Sequence, residues 1–567
     1  MTAKKRIKPN KISSMSARIF LAPKGIFLNL LKPSGLTPLE EEDLRSYRNW
    51  FVKPKDNKLA SADEVFIIAS FLPLSYCIKI ESLLGHAMCQ RGYRVVVVTN
   101  AACQLFSQKY HEEVNGFEVH VLDDYLSFGS ILQLRNVLNC FFQSVDGLLK
   151  RISKIRYRNA YIGRHALATL SADNKLNLSM DNFDATVKLT RAVARSIFWV
   201  DAANLILKHL NPSVVLSMEK GFIGTAELFY ASIDNGVRYI QWTGCHEPNS
   251  IMFKKYEWNN FREHPFSISE DNWKIIKEMP WDDKYENVVM QQFQRGYTEG
   301  QWFKYKNLTA NQREFDRLTL VRDLAIDLKK KTAVIYSHIL NDANLFYGED
   351  IFEGGFEEWL IETIRAAALN RSVNWVLKLH PANMYRHPTL VESRNYGELQ
   401  ALERAFGCVP DFLTVVYPDS PVSPLSFFGI TDYCVTVRGT VGLELPCFGI
   451  PTLTAGTGRY SGKGFTIDSL NREEYIFKIR NIEKIQPLSL EQTRLGQRYA
   501  YYIFRVRPAR YHDVFVDDYS SPKGHPHRRD LNFDDKTLQN IIDHPQIVKI
   551  VSFLCSNQTD FLDESVV

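Results

Sequence analysis

The sequence predicts an α/β protein of two large domains, each a doubly wound parallel sheet flanked by helices. Three observations carry this expectation. The chain has 567 residues, 45% of them hydrophobic and 23% charged, which is a globular balance at a length beyond one core. Residues 64–99 run from a short β-branched stretch through a helical stretch and a glycine turn into a second apolar stretch, the pattern of a βαβ unit. The same alternation restarts at Lys331.

Residues 1–61 read as an irregular extension, basic at the start and again from Lys53 to Lys58. Residues 16–32 mix apolar side chains with Lys and Arg, as a membrane-surface anchor would, although Pro23 and Gly25 interrupt any single helix. A first domain is expected over 62–325. Its strands are Glu64–Ser70, Tyr93–Thr99, Ser213–Met218 and Val237–Trp242, with helices at Ile78–Gln90 and Gly221–Asn235 and a helical insertion over 131–210. A second domain is expected over 326–490, with strands Thr332–Ser337, Asn374–His380, Ile430–Val437 and Pro451–Ala455 and a helix at Phe356–Leu369. The remainder, 491–567, reads as a crossing helix and a tail, the helix spanning Leu490–Phe504.

Composition excludes several classes. A net charge of +5 against 69 basic and 64 acidic side chains does not describe a dedicated nucleic-acid binder. The nine cysteines form no zinc-like spacing, which points to a reducing, cytoplasmic setting. No secretory signal and no run of about 20 apolar residues is present.

In an open α/β sheet, ligands collect beyond the carboxyl ends of the strands. Three loops of the second domain lie there and are polar. The first, Ser337–Asp350, offers His338, Asn341 and Asp342. The second ends a strand in His380-Pro381, where proline fixes the departing chain and holds an imidazole at the sheet edge. The third is Arg438-Gly439-Thr440-Val441-Gly442-Leu443-Glu444, a glycine-flanked turn into a helix that Pro446 shortens or kinks. Exposed N–H groups and close backbone approach favour a phosphate there, Arg438 adds charge-assisted bonds, and Glu444 is placed to accept from a ribose diol. A fourth loop, 456–465, carries four glycines around Arg459, Tyr460 and Lys463 and reads as a mobile flap over a donor sugar.

These motifs resemble the donor-nucleotide site of GT-B glycosyltransferases. Lys378–Asn383, Arg438–Glu444 and Gly456–Phe465 together resemble bacterial capsule and surface-polysaccharide biosynthesis proteins, including Kdo transferases of the capsule-synthase type. The His-Pro and Thr-containing pair is similar to that of bacterial sialyltransferases, which use CMP-sugars. The likeness covers about 330–510 and is weaker over 62–320. Family members often carry Ser where Arg438 or Thr440 stands, and Glu-Ala where this chain has Glu444-Leu445-Pro446.

The resemblance implies a metal-independent transferase with no cofactor, a CMP- or UDP-linked sugar as co-substrate, and a glycan or lipid-linked acceptor. It also implies peripheral contact with the cytoplasmic face of the inner membrane or with an export complex. The acceptor proton needs a base, for which Glu81, His86, Glu219, His246 and Glu247 are the candidates. The basic run Lys150–Arg158 reads as a solvated helix face or a contact for an anionic acceptor. Two other readings stand beside this one: an epimerase or polyol-phosphate transferase on the same fold, and a non-catalytic scaffold.

Overall fold

The computed structural model describes residues 36–51, 64–126, 152–172, 183–298, 312–340, 344–386, 392–514, 516–518, 530–533 and 536–566. The chain divides into two compact units, one of residues 1–244, 249–261 and 509–561, the other of 245–248, 262–508 and 562–567.

The first unit is built on a seven-stranded sheet. Its strands in chain order are β1 (Val65–Ala69), β2 (Arg94–Thr99), β3 (Glu118–Val121), β4 (Pro212–Ser217), β5 (Arg238–Gly244) and β6 (Ser250–Tyr256), followed by Ala509–Arg510 at one edge. Strands β3-β2-β1-β4-β5 run parallel, and every residue of β1 is buried, as a parallel strand covered on both faces requires. The topology reverses between β1 and β4.

Beside this parallel core, which the sequence predicts, two antiparallel strands are added at one edge. Only five residues separate β5 from β6, too few for a crossover, so β6 folds back antiparallel and Ala509–Arg510 adds antiparallel to it. Strand β6 escaped the hydrophobic pattern because it carries Lys254 and Lys255. Lys254 is fully enclosed and pairs with Asp560 at 2.8 Å, and Lys255 Nζ donates to the Phe553 carbonyl at 2.9 Å. These bonds attach residues 553–560 to the sheet.

The second unit holds a five-stranded, fully parallel sheet of β7 (Lys331–Tyr336), β8 (Val373–Lys378), β9 (Leu413–Val416), β10 (Tyr433–Thr436) and β11 (Thr452–Thr454), in the order β11-β10-β7-β8-β9. From β7 the chain winds outward through β8 and β9, then returns to the other side of β7 for β10 and β11. The reversal point therefore lies between β7 and β10. Trp359, Leu360 and Ile364 of helix Gly355–Ala367 and Tyr475 and Ile479 of helix Arg472–Arg480 pack with Ile335, Trp375 and Val435 of the strands into one core.

The segment boundaries differ from the sequence expectation. Residues 262–325 belong with the second sheet, and 491–567 is no single crossing element. Helix Leu490–Tyr501, capped by Ser489 and Gln492, stays in the second unit, whereas 509–561 returns to the first. Residues 1–35 and 52–63 lie outside the described residues, including the stretch 16–32. Among the described residues, no helix is long and apolar enough to cross a membrane.

Removing one partner of the enclosed pair leaves a buried unpaired charge. Lys254→Met is expected to lower unfolding free energy by about 3–5 kcal/mol, and Lys254→Met with Asp560→Leu to recover most of that loss; urea unfolding of the three proteins measures it.

Candidate active site

Four loops of the second unit leave the carboxyl ends of neighbouring parallel strands: 337–340 after β7, 379–383 after β8, 437–444 after β10 and 455–465 after β11. The nucleotide-site residues read from the sequence lie in these loops, at the sheet edge where the topology reverses, except Asn341 and Asp342, which lie outside the described residues.

The His-Pro turn is held by a buried carboxyl. Ser337 follows β7 directly; its hydroxyl accepts the His380 N–H at 3.0 Å and donates to Glu398 Oε1 at 3.0 Å. Asn383 Nδ2 donates to the same oxygen at 2.9 Å, and Asn383 N–H bonds the His380 carbonyl at 3.1 Å. Burial pushes the Glu398 carboxyl above the usual range, against the pull of these donors. Within the turn, Ala382 N–H donates to His380 Nδ1 at 3.1 Å. A neutral His380 ring therefore carries its proton on Nε2, on the side away from the backbone. Ser337, Asn383 and Glu398 were missed from sequence; the turn needs them, yet none has a motif.

His338 has another task. It is buried, stacks on Phe356 with centroids 4.4 Å apart, and its Nε2 accepts the Val437 N–H at 3.2 Å. Burial, then the positive charges of His380, Arg438 and Arg459, pushes its pKa far down. It fixes the end of β10 as a neutral ring, where a ligand contact was expected.

Arg438 departs from expectation in the same way. Only 3% exposed, its guanidinium donates to the Tyr347 carbonyl and the Asp350 carboxylate. Both terminal nitrogens are thus engaged within the protein, where a phosphate contact was expected, and Nε is buried without a partner among the described residues. Beyond it, Val441–Glu444 forms one α-turn that passes into a 3₁₀ turn at Leu445–Phe448. Pro446 has no amide to continue the ladder. The backbone N–H groups of Thr440 and Val441 donate to nothing among the described residues, and both residues are half-buried.

Glu444 is 0% exposed, its Oε2 accepts the phenol of Tyr297, and burial raises its pKa. One oxygen of the carboxylate read as a ribose ligand is thus engaged by a side chain 147 residues away, while its Oε1 is buried without a partner among the described residues. Nothing near Glu444 in the sequence announces Tyr297.

Nor is 456–465 a free flap. Tyr460 is buried and its hydroxyl donates to the Gly439 carbonyl at 2.8 Å. Gly442 exists to admit that phenol: a Cβ there would lie 1.9 Å from Tyr460 Oη. A Cβ at Gly458 would meet Arg438 Cβ at 2.8 Å, and Lys463 Nζ pairs with Glu270 at 2.8 Å. Tyr460 thus fastens the loop to Gly439, whereas the partner of Lys463 is a largely exposed carboxylate.

The proposed bases do not gather in one unit. Glu81 and Glu219 lie in the first, His246 and Glu247 in the second. Glu81 sits inside helix Ser75–Gln90, and burial raises its pKa to about 8 against the pull of the Ser70 hydroxyl. Glu219 follows β4 at the reversal point of the first sheet; Gln241 Nε2 approaches its Oε2 at 3.4 Å, and burial raises it to about 7. His86, held by Asn115 Oδ1 at 3.1 Å between Phe51 and Phe117, is pushed down to about 4 by burial and stays neutral. His246 is buried with Nδ1 3.0 Å from Cys245 Sγ and its ring edge-on to Phe504; Glu247 is half-buried. Of the basic run, residues 150 and 151 lie outside the described residues; Ile152 and Ser153 are helical, and in the irregular stretch 154–158 Arg158 pairs with Asp201 and Arg156 lies on the Tyr161 ring.

No protein-family model and no curated protein matches the chain. Among solved structures it is similar to two Thermosulfurimonas dismutans KpsC proteins, a beta Kdo 2,4 transferase and a beta Kdo 2,7 transferase. Identity is 13% for each, over 52% and 62% of this chain and 81% and 89% of theirs, with TM-scores of 0.33 and 0.31. A UDP-GlcNAc 2-epimerase from Neisseria meningitidis bound to UDP-GlcNAc is similar at 10% identity over 78% of this chain and 98% of that one, TM-score 0.24. Similarity at this distance carries no weight for function, which rests on the side chains.

Gly442→Ala should lower stability by about 1–3 kcal/mol, the cost of overpacking, and pairing it with Tyr460→Phe should recover part of the loss in the same melts. For Glu81, the folded carboxyl holds its proton from its ordinary value of 4.5 up to about 8, so stability falls as pH rises through that window. The Tm advantage of Glu81→Gln over the parent should therefore grow between pH 5 and pH 8.

Proposed function

We propose that this protein is a glycosyltransferase that moves a sugar from a nucleotide-linked donor to a growing surface glycan, with the donor's phosphate at the β8 and β10 loop ends. The observation that carries the reading is His380: its bond from Ala382 sets the tautomer, and its turn stands two strands from Thr440 and Val441, whose amides donate to nothing among the described residues. Two strand spacings are about 9–10 Å, a span that one phosphorylated ligand bridges.

Donors fixed before the reaction stabilise charge as it develops on the departing phosphate. The anomeric carbon–oxygen bond to phosphate breaks, the acceptor oxygen bonds that carbon, and the acceptor proton passes to a base. Among the candidate bases, Glu219 is the one that burial raises to about 7, so a fraction of it is ionised at neutral pH. The nucleotide is CMP in preference to UDP, on the His-Pro and Thr pairing. The acceptor is a glycan or lipid-linked saccharide on the cytoplasmic side of the membrane. Glu444 Oε1, buried without a partner among the described residues, is the atom left to accept from a ribose hydroxyl.

A ligand that binds only the folded state raises Tm. In a panel of CMP-, UDP- and GDP-sugars, a CMP-sugar is expected to give the largest shift, and His380→Ala to remove it. No shift from any nucleotide, or a shift unchanged in His380→Ala, contradicts the site. Epimerisation of a nucleotide sugar without acceptor contradicts the chemistry.

A further inference from the structure

We propose that Arg459, in place of Arg438, supplies the positive charge that binds the donor's phosphate. This deepens the reading given under Proposed function and rests on it. Arg438 is spent on Asp350 and the Tyr347 carbonyl. A phosphate at the ends of β8 and β10 then needs its cation from another loop.

The 455–465 loop provides one in a fixed place. Gly458 lies against Arg438, close enough that a Cβ would fall 2.8 Å from the arginine's own Cβ. Tyr460 reaches the Gly439 carbonyl and fills the space over Gly442. Arg459 stands between these two anchors, so its backbone is bound to segment 438–442 from both sides. A further bond, from the Tyr499 phenol to the Arg459 carbonyl, holds it there.

The side chain is uncommitted by comparison. Its guanidinium lies 5.7 Å from the centroid of Phe266 and donates no hydrogen bond among the described residues. It is near enough to Glu444, one turn beyond Thr440, and to His338, which accepts the Val437 N–H at the end of β10, to shift the titration of both. Burial weakens its own preference for the charged form. A partly enclosed guanidinium without a bonded anion is unfavourable, and a phosphate taking two of its parallel N–H groups offsets that cost. The ligand class is the phosphate of a nucleotide, which also receives the Thr440 and Val441 amides.

The simpler role, a cation resting on the Phe266 ring, makes a different prediction. Calorimetric titration of the full chain with CMP against cytidine, and UDP against uridine, separates phosphate binding from base and ribose binding. In Arg459→Ala, affinity for the preferred nucleotide should fall about 10- to 100-fold, the loss expected for hydrogen bonds to a charged group, while nucleoside affinity stays within about twofold. Arg459→Lys, which keeps the charge and loses the fork, should fall between parent and alanine variant, and it serves alone if the alanine variant does not fold. Equal nucleotide affinity in the parent and Arg459→Ala overturns the assignment, as does an equal loss for nucleotide and nucleoside. A parent that binds no nucleotide overturns the proposed function itself.

Discussion

The carboxyl of Glu398 is the constraint on which the site depends. It is buried at the start of helix Gly397–Phe406, where an unbonded carboxyl would cost several kcal/mol. Hydrogen bonds from Ser337 and Asn383 offset that cost and join the end of β7 to the turn after β8. Because Ser337 also accepts the His380 N–H, the imidazole inherits a fixed backbone, and the Ala382 amide then selects its tautomer. The orientation of the His380 ring is thus set by Ser337, Asn383 and Glu398 through hydrogen bonds within the protein.

A second set of bonds shapes the opposite side of the reversal point. His338 accepts the amide of Val437, Arg438 is drawn inward by Asp350, and Tyr460 fastens Gly439. Each bond helps fix the path of the backbone into Thr440 and Val441. The glycines serve this purpose: Gly442 makes room for a phenol, and Gly456 and Gly464 adopt φ of +98° and +91°, which other residues resist.

Much of this was readable in the chain. The β-branched runs at 65–69, 94–99 and 331–336 announced parallel strands, and Pro381 marked where His380 must leave β8. The locations of the polar loops followed from strand order alone. The roles of Arg438, Glu444, Tyr460 and Lys463 did not, because each is decided by a partner far away in sequence: Asp350, Tyr297, Gly439 and Glu270. A sequence records that a charged or aromatic group stands at a strand end, whereas whether it faces a ligand or a buried partner depends on packing. Strand β6 was hidden for a related reason, since lysines that pair internally look like solvent-facing ones.

The claim that His380 presents a fixed Nε2–H to a phosphate is open to direct measurement. Nitrogen–proton correlation spectra of histidine-labelled protein, with the His380 signals assigned by difference from His380→Asn, report which ring nitrogen carries the proton. The account predicts a neutral ring protonated on Nε2 before ligand is added, with that N–H shifting on saturation with the nucleotide that stabilises the fold. A ring protonated on Nδ1, or an Nε2–H signal unmoved by saturating nucleotide, would contradict it.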